Sequence, residues 1–307
     1  MSVPIITAEI APHLDWQALL AALRDGHRAP PATLDDTFLY RGEDTLLSRA
    51  AWIDGLGALV KTATIFPGNA ARGQATVNGG AALYSDSDGC LEALVDFHLL
   101  TEWKTAGDSL LAASHLARPD SRRILLVGAG AVARSMVGAY RAVFPEARFT
   151  VWARRAESAR AFAEGQEGVC VAHDLAQAVQ EAEIICTATM SRDPLIRGDW
   201  LRAGQHLDLI GAYRADMREV DDEALCRAAL FVDSRATVLD HIGEMKDPLA
   251  RGVIRRDDIR AEFRDIASGT FARPDAEAIT LCKNGGGAHL DLMVARYMLD
   301  VWRRHQA

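Results

Sequence analysis

The sequence lacks any long apolar run, since no hydrophobic segment approaches the roughly 18 residues that mark a membrane span. The opening stretch MSVPIITAEIAPHLDW carries no Lys or Arg ahead of an apolar core and does not resemble a secretory signal. Basic residues are not in excess, because the net charge is −8 and the pI is near 5.6. We therefore expect neither a membrane nor a nucleic acid among the partners.

Cysteine is scarce and scattered. The five cysteines are odd in number, and no pair has the close spacing of a zinc knuckle. This pattern favours reduced thiols in a cytoplasmic protein over a disulfide framework. The nine histidines form no HExxH or HxH pattern, so we predict that no metal is bound.

The length of 307 residues indicates about two domains. The first third has a mixed α+β pattern, with a helix predicted over 15–28 and strands on either side of GED (42–44). A hairpin is predicted around SDSDG (85–89), and a helix over 99–117. From Arg123 onward, apolar runs alternate with amphipathic stretches. They read RILLVG, RFTVWA, GVCVA, EIICTAT, HLDLIGA, LFVDS and AITLC.

This alternation predicts parallel strands with helices on both faces of the sheet. The fold class is therefore α/β, a Rossmann-type doubly wound parallel sheet plus an α+β domain. We expect the Rossmann domain to span 119–287, and the other domain to comprise 1–118 plus 288–307. The last helix follows three glycines (285–287) and is long enough to leave the Rossmann domain and pack elsewhere.

A glycine-rich turn follows the first of these strands. Gly128, Gly130 and Ala133 form G-x-G-x-x-A between the strand ILLV and a helical segment, which is the context that a dinucleotide site requires. Gly128 permits the tight turn, and Gly130 lets the backbone approach phosphate oxygens. The helix N-terminus, at Ala131 and Val132, presents unpaired N–H groups to a pyrophosphate. A glycine turn without a ligand is the weaker alternative, given six further strand candidates downstream.

The end of the second strand indicates which nicotinamide cofactor is bound. Ala153 stands where an acid usually accepts from the ribose hydroxyls, and Arg154 and Arg155 follow it. Two guanidiniums could pair with a 2′-phosphate, so NADP(H) is favoured and NAD(H) is the alternative. Both arginines could instead lie on a solvated loop. Three residues that end another strand, Thr187–Thr189, are predicted to lie along the cofactor.

Several segments together resemble the ornithine cyclodeaminase/mu-crystallin family. They are ALVKTATIFPGN (58–69), LLTEWKTAGDSLLAASHLA (99–117), DPLIRGDWLRAGQHLDLIGAYRADMREVDDEAL (193–225) and FVDSRATVLDHIGE (231–244). The resemblance implies that the N-terminal part and the final helix form a substrate and dimerisation domain of a homodimer. It also implies an active site in the cleft between the domains. A nicotinamide cofactor would act there on a small carboxylate-bearing amino or imino acid.

Two lysines match the catalytic positions of that family. Lys61 corresponds to its active-site lysine and would hold the carboxylate or polarise the imine as hydride arrives. A lone lysine in a strand is more often a surface charge, but this one lies within an apolar run. Lys104 falls where the family has a carboxylate-binding arginine, so it keeps the charge but loses the bidentate fork.

Two further positions depart from the family pattern. Ala32 replaces a second arginine, and either Arg41 or Arg49 could take over its role from a neighbouring strand; both could equally be ordinary hairpin arginines. Tyr213 replaces the aspartate of ornithine cyclodeaminases, and Asp216 follows three residues later. A phenol can donate a proton but is a poor base at neutral pH, which suits imine reduction better than deamination.

Three hypotheses follow. The leading one is an NADP(H)-dependent ketimine reductase or amino-acid dehydrogenase, with Lys61, Lys104 and Tyr213 as catalytic residues. The second is ornithine cyclodeaminase proper, which forms proline and ammonia from ornithine. The third is an NADPH-binding protein with little turnover.

Overall fold

The computed structural model describes residues 3–306, with the side chain of residue 70 left aside. The chain divides into two compact units. Among the described residues, the first unit comprises 3–104 and 287–306, and the second comprises 105–286. The expected boundary at 118 lies at the end of a long helix, whereas the division between the units falls inside that helix. No helix in the described range is both long enough and apolar enough to cross a bilayer.

The first unit is built on a six-stranded sheet whose order is β1-β6-β5-β4-β3-β2. Neighbouring strands are antiparallel except for β1 and β6, which are parallel. The strands are β1 (Ile5–Ile6), β2 (Thr33–Arg41), β3 (Asp44–Ile53), β4 (Gly57–Ile65), β5 (Val77–Tyr84) and β6 (Leu91–Asp96). The predicted strands around GED and the predicted SDSDG hairpin are confirmed.

Helices cover one face of this sheet. They are α1 (Trp16–Gly26), the first part of α2 (Phe97–Leu116) and α9 (Ala288–Gln306), with α9 packed on α1, β3 and β4. Asp15 caps α1 by accepting from the amide of Ala18 at 2.8 Å, which satisfies one of its unpaired N–H groups. The hydroxyl of Tyr297 on α9 accepts from the amide of Asp15, so the two helices are tied together.

Alternation along β4 decides which side chains reach the helices. Leu59, Lys61 and Ala63 are buried, whereas the intervening Val60 and Thr62 are half-buried on the other face. A lysine thus occupies the middle of a buried apolar row. Its burial follows from its position in the strand, and it needs a partner to offset the lost hydration.

The second unit holds an eight-stranded parallel sheet in the order β13-β12-β14-β11-β10-β7-β8-β9. The strands are β7 (Arg123–Val127), β8 (Arg148–Trp152), β9 (Val169–Val171), β10 (Ile184–Thr187), β11 (His206–Leu209), β12 (Ala229–Val232), β13 (Ile259–Ala261) and β14 (Thr280–Lys283). All seven predicted strands are present. The three-residue β13 was not predicted.

Helices separate most of these strands, as the sequence predicts. They are α3 (Ala131–Val143), α4 (Ala156–Glu164), α5 (Leu175–Glu181), α6 (Asp222–Arg227), α7 (Arg235–Val238) and α8 (Gly243–Ala250). The chain order of the strands reverses at β7, which has β8 on one side and β10 on the other. Ligands of doubly wound sheets bind outside the carboxyl ends of the strands at such a point. The predicted α/β fold class is confirmed.

The glycine stretch after β14 is held in place at its start. The carboxylate of Asp233 accepts from the amides of Gly285 (2.9 Å) and Gly286 (2.6 Å). Gly286 has a φ of +68°, a conformation that favours glycine. The residues after it, which form α9, belong to the first unit.

Candidate active site

The glycine loop lies at the switch point of the second unit. Gly128 has a φ of +117°, and a Cβ there would come within 2.5 Å of the carbonyl oxygen of Ala188. The requirement for glycine at this position is therefore imposed by the protein itself. Gly130 differs, because a Cβ there would meet no protein atom within 4 Å. The open space beside Gly130 is what a phosphate close to the backbone would need.

Gly130 is also the N-cap residue of α3, and no side chain caps this end of the helix. Ala131 and Val132 form its first turn, as predicted. Among residues 3–306, no side-chain acceptor bonds to this cap. The first amides of a helix carry a partial positive charge, so this end suits an anion.

A cavity of about 350 Å³ opens beside the loop. Its lining includes seven of the predicted cofactor residues: Gly128, Gly130, Ala153, Arg154, Arg155, Ala188 and Thr189. Thr187, which was also predicted, is the last residue of β10 and is fully buried, so its side chain does not line the cavity. Ser158 and Met190 line it as well and were not predicted.

Arg154 and Arg155 are both exposed at the edge of this cavity. No carboxylate in the described part of the chain forms an ion pair with either guanidinium. Ser158, on the first turn of α4, places a hydroxyl in the same lining. The group therefore offers two cations that form no ion pair with a described carboxylate, together with a hydroxyl donor.

A buried glutamate fixes the neighbouring loops. Glu219 accepts from the amide and hydroxyl of Thr189 at 2.9 and 2.7 Å, and from the amides of Gly211 (2.9 Å) and Ala212 (3.1 Å). One carboxylate thus holds the loops that follow β10 and β11. No sequence pattern singles out this residue, because Glu219 stands among several other acids in ADMREVDDEAL.

A second carboxylate lies behind the first. Glu244 accepts from the amides of Glu219 (2.7 Å) and Val220 (3.1 Å) and is fully buried. Burial, together with the nearby charge of Glu219, raises the pKa of Glu244 to about 7. Glu219 and Glu244 therefore support the loops beside the cavity.

The first unit contains a separate cluster of charges around Lys61. The Lys61 ammonium donates to Asp291 Oδ1 at 2.8 Å and to Thr101 Oγ1 at 2.9 Å. It also lies 4.8 Å from the centre of the Phe97 ring. Asp291 is on α9, whereas Thr101 and Phe97 are on α2, so three elements far apart in sequence meet at one ammonium group.

Burial is the largest influence on the pKa of Lys61 and lowers it. Asp291 acts in the opposite direction, and Lys104 and Arg49 lower the pKa further, so the net shift is downward. Burial would raise the pKa of Asp291, but Lys61, Lys104 and Arg49 outweigh it, and that pKa lies below its ordinary value. A lysine whose pKa is lowered releases its proton more readily than an exposed one.

Lys104 also lies near this pair, because its charge lowers the pKa of both Lys61 and Asp291. Lys104 is buried on α2. Asp291 was not predicted. Its only sequence signal is an acid inside the apolar stretch HLDLMVA, where an uncompensated charge would be costly.

Tyr213 and Asp216 lie in the loop after β11, in the second unit. The Tyr213 side chain is 53% exposed. Asp216 pairs with Arg214 at 3.0 Å and with Arg192 at 3.3 Å. The catalytic role predicted for Tyr213 stays a prediction, and Asp216 is engaged with arginines instead of being available as a base.

Comparison with known proteins identifies the family. The profile of the ornithine cyclodeaminase/mu-crystallin family matches residues 53–306. The chain belongs to this family. The predicted family membership is confirmed. No group of three or more His, Cys, Asp or Glu within residues 3–306 is arranged to hold a metal ion.

Three known proteins show what this chain is similar to. The chain is 51% identical to a Δ1-pyrroline-2-carboxylate reductase of Paracoccus denitrificans, over 94% of this chain and 93% of that protein. It is 34% identical to the ketimine reductase mu-crystallin of Rattus norvegicus, over 79% of this chain and 75% of that one. An archaeal alanine dehydrogenase dimer with bound NAD has a TM-score of 0.90 and 25% identity, covering 100% of this chain and 98% of that one.

Proposed function

We propose that the protein is an NADP(H)-dependent imine reductase whose substrate is a small cyclic imino acid of the Δ1-pyrroline-2-carboxylate class. The observation that carries the proposal is the buried Lys61–Asp291 pair, because it supplies a cation whose pKa burial lowers below that of an ordinary lysine. The 51% identity to a reductase of this substrate class supports the choice of substrate. The glycine loop and its cavity supply the residues that fit a nicotinamide dinucleotide.

A nicotinamide dinucleotide held at the glycine loop would supply the hydride. Lys61 donates a hydrogen bond to the imine nitrogen and then its proton, so that the C=N bond becomes CH–NH and the net change is one hydride and one proton added. Asp291 and Thr101 orient the ammonium of Lys61. Lys104 adds positive charge on the carboxylate side of the substrate.

The preference for NADP(H) rests on Arg154 and Arg155, which lack acidic partners, and on the absence of a carboxylate at Ala153. Guanidiniums bind phosphate oxygens strongly, and a missing acid removes the usual acceptor for the ribose 2′-hydroxyl. Replacing both arginines with alanine should raise the KM for NADPH by roughly 10- to 100-fold. The KM for NADH should change little. Equal losses for the two cofactors would contradict the assignment.

The direct test is turnover. Purified protein is incubated with NADPH and a panel of cyclic imino acids, and the loss of NADPH absorbance is followed together with the formation of the amino acid. We expect rapid reduction of Δ1-pyrroline-2-carboxylate and no proline or ammonia from ornithine. Robust proline formation from ornithine would instead make the protein a cyclodeaminase. Tight NADPH binding without any oxidation would make it a binding protein.

A homodimer is part of the proposal. The face of the first-unit sheet that lies opposite the helices carries Trp52, Val60 and Tyr84 around an open cavity of about 400 Å³. Trp52 is 54% exposed, and large apolar patches of this kind are commonly covered by a partner. Trp52→Glu should shift the sedimentation mass from dimer to monomer. A monomeric parent protein would exclude the dimer.

The reaction is proposed to occur in the cytoplasm. All five cysteines have free thiols, and three of them are exposed: Cys90, Cys170 and Cys226. Exposed thiols persist best in a reducing compartment. Fractionation of the source cells, with immunodetection of the protein, tests the location.

A further inference from the structure

The loop after β10 lines one side of the cavity beside the glycine loop. It contributes five residues to the lining: Ala188, Thr189, Met190, Ser191 and Leu195. This side lies next to β10, whereas Arg154 and Arg155 lie on the other side of β7, after β8. A dinucleotide bound across the switch point places one nucleotide half on each side of the central strand. The loop after β10 therefore faces the half that is opposite the arginines.

This loop is tied at both ends to one residue, Glu219. At the start of the loop, the Glu219 carboxylate accepts from the amide of Thr189 at 2.9 Å and from its hydroxyl at 2.7 Å. At the end of the loop, the main-chain carbonyl of Glu219 accepts from the amides of Leu195 (2.9 Å) and Ile196 (3.0 Å). The loop is therefore closed around Glu219, and its shape depends on the position of that residue.

The contacts of Thr189 carry this order into the loop. The Thr189 hydroxyl accepts from the amide of Ser191 at 3.3 Å while it donates to Glu219. Gly211 packs against the same point, because a Cβ there would overlap the main chain of Thr189 and the carboxylate of Glu219. A side chain at position 211 would therefore push the loop away from its anchor.

The anchor requires a carboxylate. The Glu219 side chain accepts four hydrogen bonds, from one hydroxyl and from the amides of Thr189, Gly211 and Ala212. Both oxygens of a carboxylate accept, whereas an amide side chain would turn an NH2 group toward two of these donors. Glu219 is fully buried, so water cannot easily replace a lost acceptor. Glu244 in turn holds the main-chain amide of Glu219 at 2.7 Å.

We propose that Glu219 is a positioning residue for the nicotinamide half of the cofactor. Glu219 does not itself line the cavity. It fixes the loop of residues 188–195, and this loop is the wall that holds the nicotinamide. Arg154 and Arg155 hold the adenosine half independently of the loop. The inference rests on the proposed function, from which it takes a nicotinamide dinucleotide as the ligand of this cavity.

The test compares a whole dinucleotide with a fragment that lacks the nicotinamide. Calorimetry measures the Kd for NADPH and for adenosine 2′,5′-bisphosphate. NADH and ADP-ribose form a second pair, so that the result does not depend on which dinucleotide the protein prefers. Glu219→Gln keeps the size of the side chain, and Glu219→Asp keeps its charge. Glu223→Gln is the matched control, since Glu223 is an exposed acid in the same stretch of sequence.

We expect Glu219→Gln to raise the Kd for the preferred dinucleotide roughly tenfold and to leave the Kd for its fragment within about twofold. The fluorescence of bound NADPH should move toward that of free NADPH, because the nicotinamide ring is no longer held. Glu219→Asp should recover part of the affinity, and Glu223→Gln should match the parent. Equal losses for dinucleotide and fragment would show that Glu219 only supports the cavity as a whole, and would overturn the inference. Unchanged dinucleotide binding would overturn it as well.

A milder variant keeps the test valid if Glu219→Gln does not fold. Thr189→Val removes one hydroxyl donor from the anchor at nearly constant volume. Its melting temperature should stay near that of the parent, while the Kd for the dinucleotide alone should rise about threefold. Equal dinucleotide affinity in a folded Thr189→Val variant and the parent would count against the inference.

Turnover is measured separately, so the two proposals can fail independently. If the parent binds NADPH and the variants lose affinity only for the dinucleotide, the inference holds even when no imine is reduced. Imine reduction by the parent, with equal losses for dinucleotide and fragment in the Glu219 variants, would keep the proposed function and remove the inference. A parent that binds neither NADPH nor NADH would overturn both.

Discussion

The two candidate ligand sites of this protein differ in the chemical groups that form them. The cavity beside the glycine loop is lined by the loop after β7 and by residues at the ends of β8 and β10, many of them small, and it is open. The Lys61 cluster is formed by charged side chains from β3, β4, α2 and α9, and its central groups are buried. A backbone site depends on conformation, whereas a side-chain cluster depends on mutual neutralisation. Substitutions should therefore damage the two sites in different ways.

The largest effect is expected at the centre of the cluster. Lys61→Ala removes the proton donor, and kcat should fall by about 10³-fold, within the range typical of general acids. NADPH affinity, measured by fluorescence, should be unchanged, since the cofactor residues lie in the other unit. Lys246→Ala is the control because Lys246 is exposed in the second unit. A loss of less than about tenfold would remove Lys61 from the chemistry.

The next effect concerns the partner that orients this lysine. Asp291→Asn should lower kcat by roughly 10- to 100-fold. Since Asp291 raises the pKa of Lys61, its loss lowers that pKa further, and the alkaline limb of the kcat/KM profile should move to lower pH. Lys104→Met removes a neighbouring cation and should move the same limb to higher pH. Shifts in the same direction would contradict the proposed electrostatic coupling.

Smaller effects are expected at the backbone site. Gly130→Ala places a methyl group in open space, so the melting temperature should stay within about 2 °C of the parent. The Kd for NADPH should rise about tenfold or more, because the methyl group occupies room beside the phosphate. Gly128→Ala should lower the melting temperature instead, since its Cβ meets the carbonyl of Ala188. If Gly130→Ala bound NADPH normally, the loop would not be the phosphate site.

The smallest effect is expected on stability, at Glu244, which supports the loops beside the cavity. Glu244 keeps its proton up to about pH 7 in the folded chain, whereas an unfolded glutamate loses it near pH 4.5. Between these values the folded state binds more protons, so this group's contribution to stability is lost as the pH rises. Glu244→Gln should lack that decline, so its urea midpoint relative to the parent should improve between pH 5 and pH 8. An unchanged difference across this range would show that Glu244 does not titrate there.

The contrast between the glycine-loop site and the Lys61 cluster also explains which features could be predicted from the sequence. The strand–glycine loop–helix unit was predictable because Gly128, Gly130 and Ala133 express a local conformational demand within a few residues. Lys61 and Lys104 were found only through family resemblance. The row that aligns Asp36, Arg49 and Lys61 could not be predicted, because strand register and parity are set by pairing across the sheet.

The sequence by itself determined the alternation of strands and helices, the glycine loop and the lack of an acid at Ala153, because each is a property of consecutive residues. Only the tertiary structure decided that Asp291, 230 positions away, neutralises Lys61. It also decided that Glu219 holds two loops of the cofactor cavity. Buried charges must find partners, and which partner lies within reach depends on how distant segments pack.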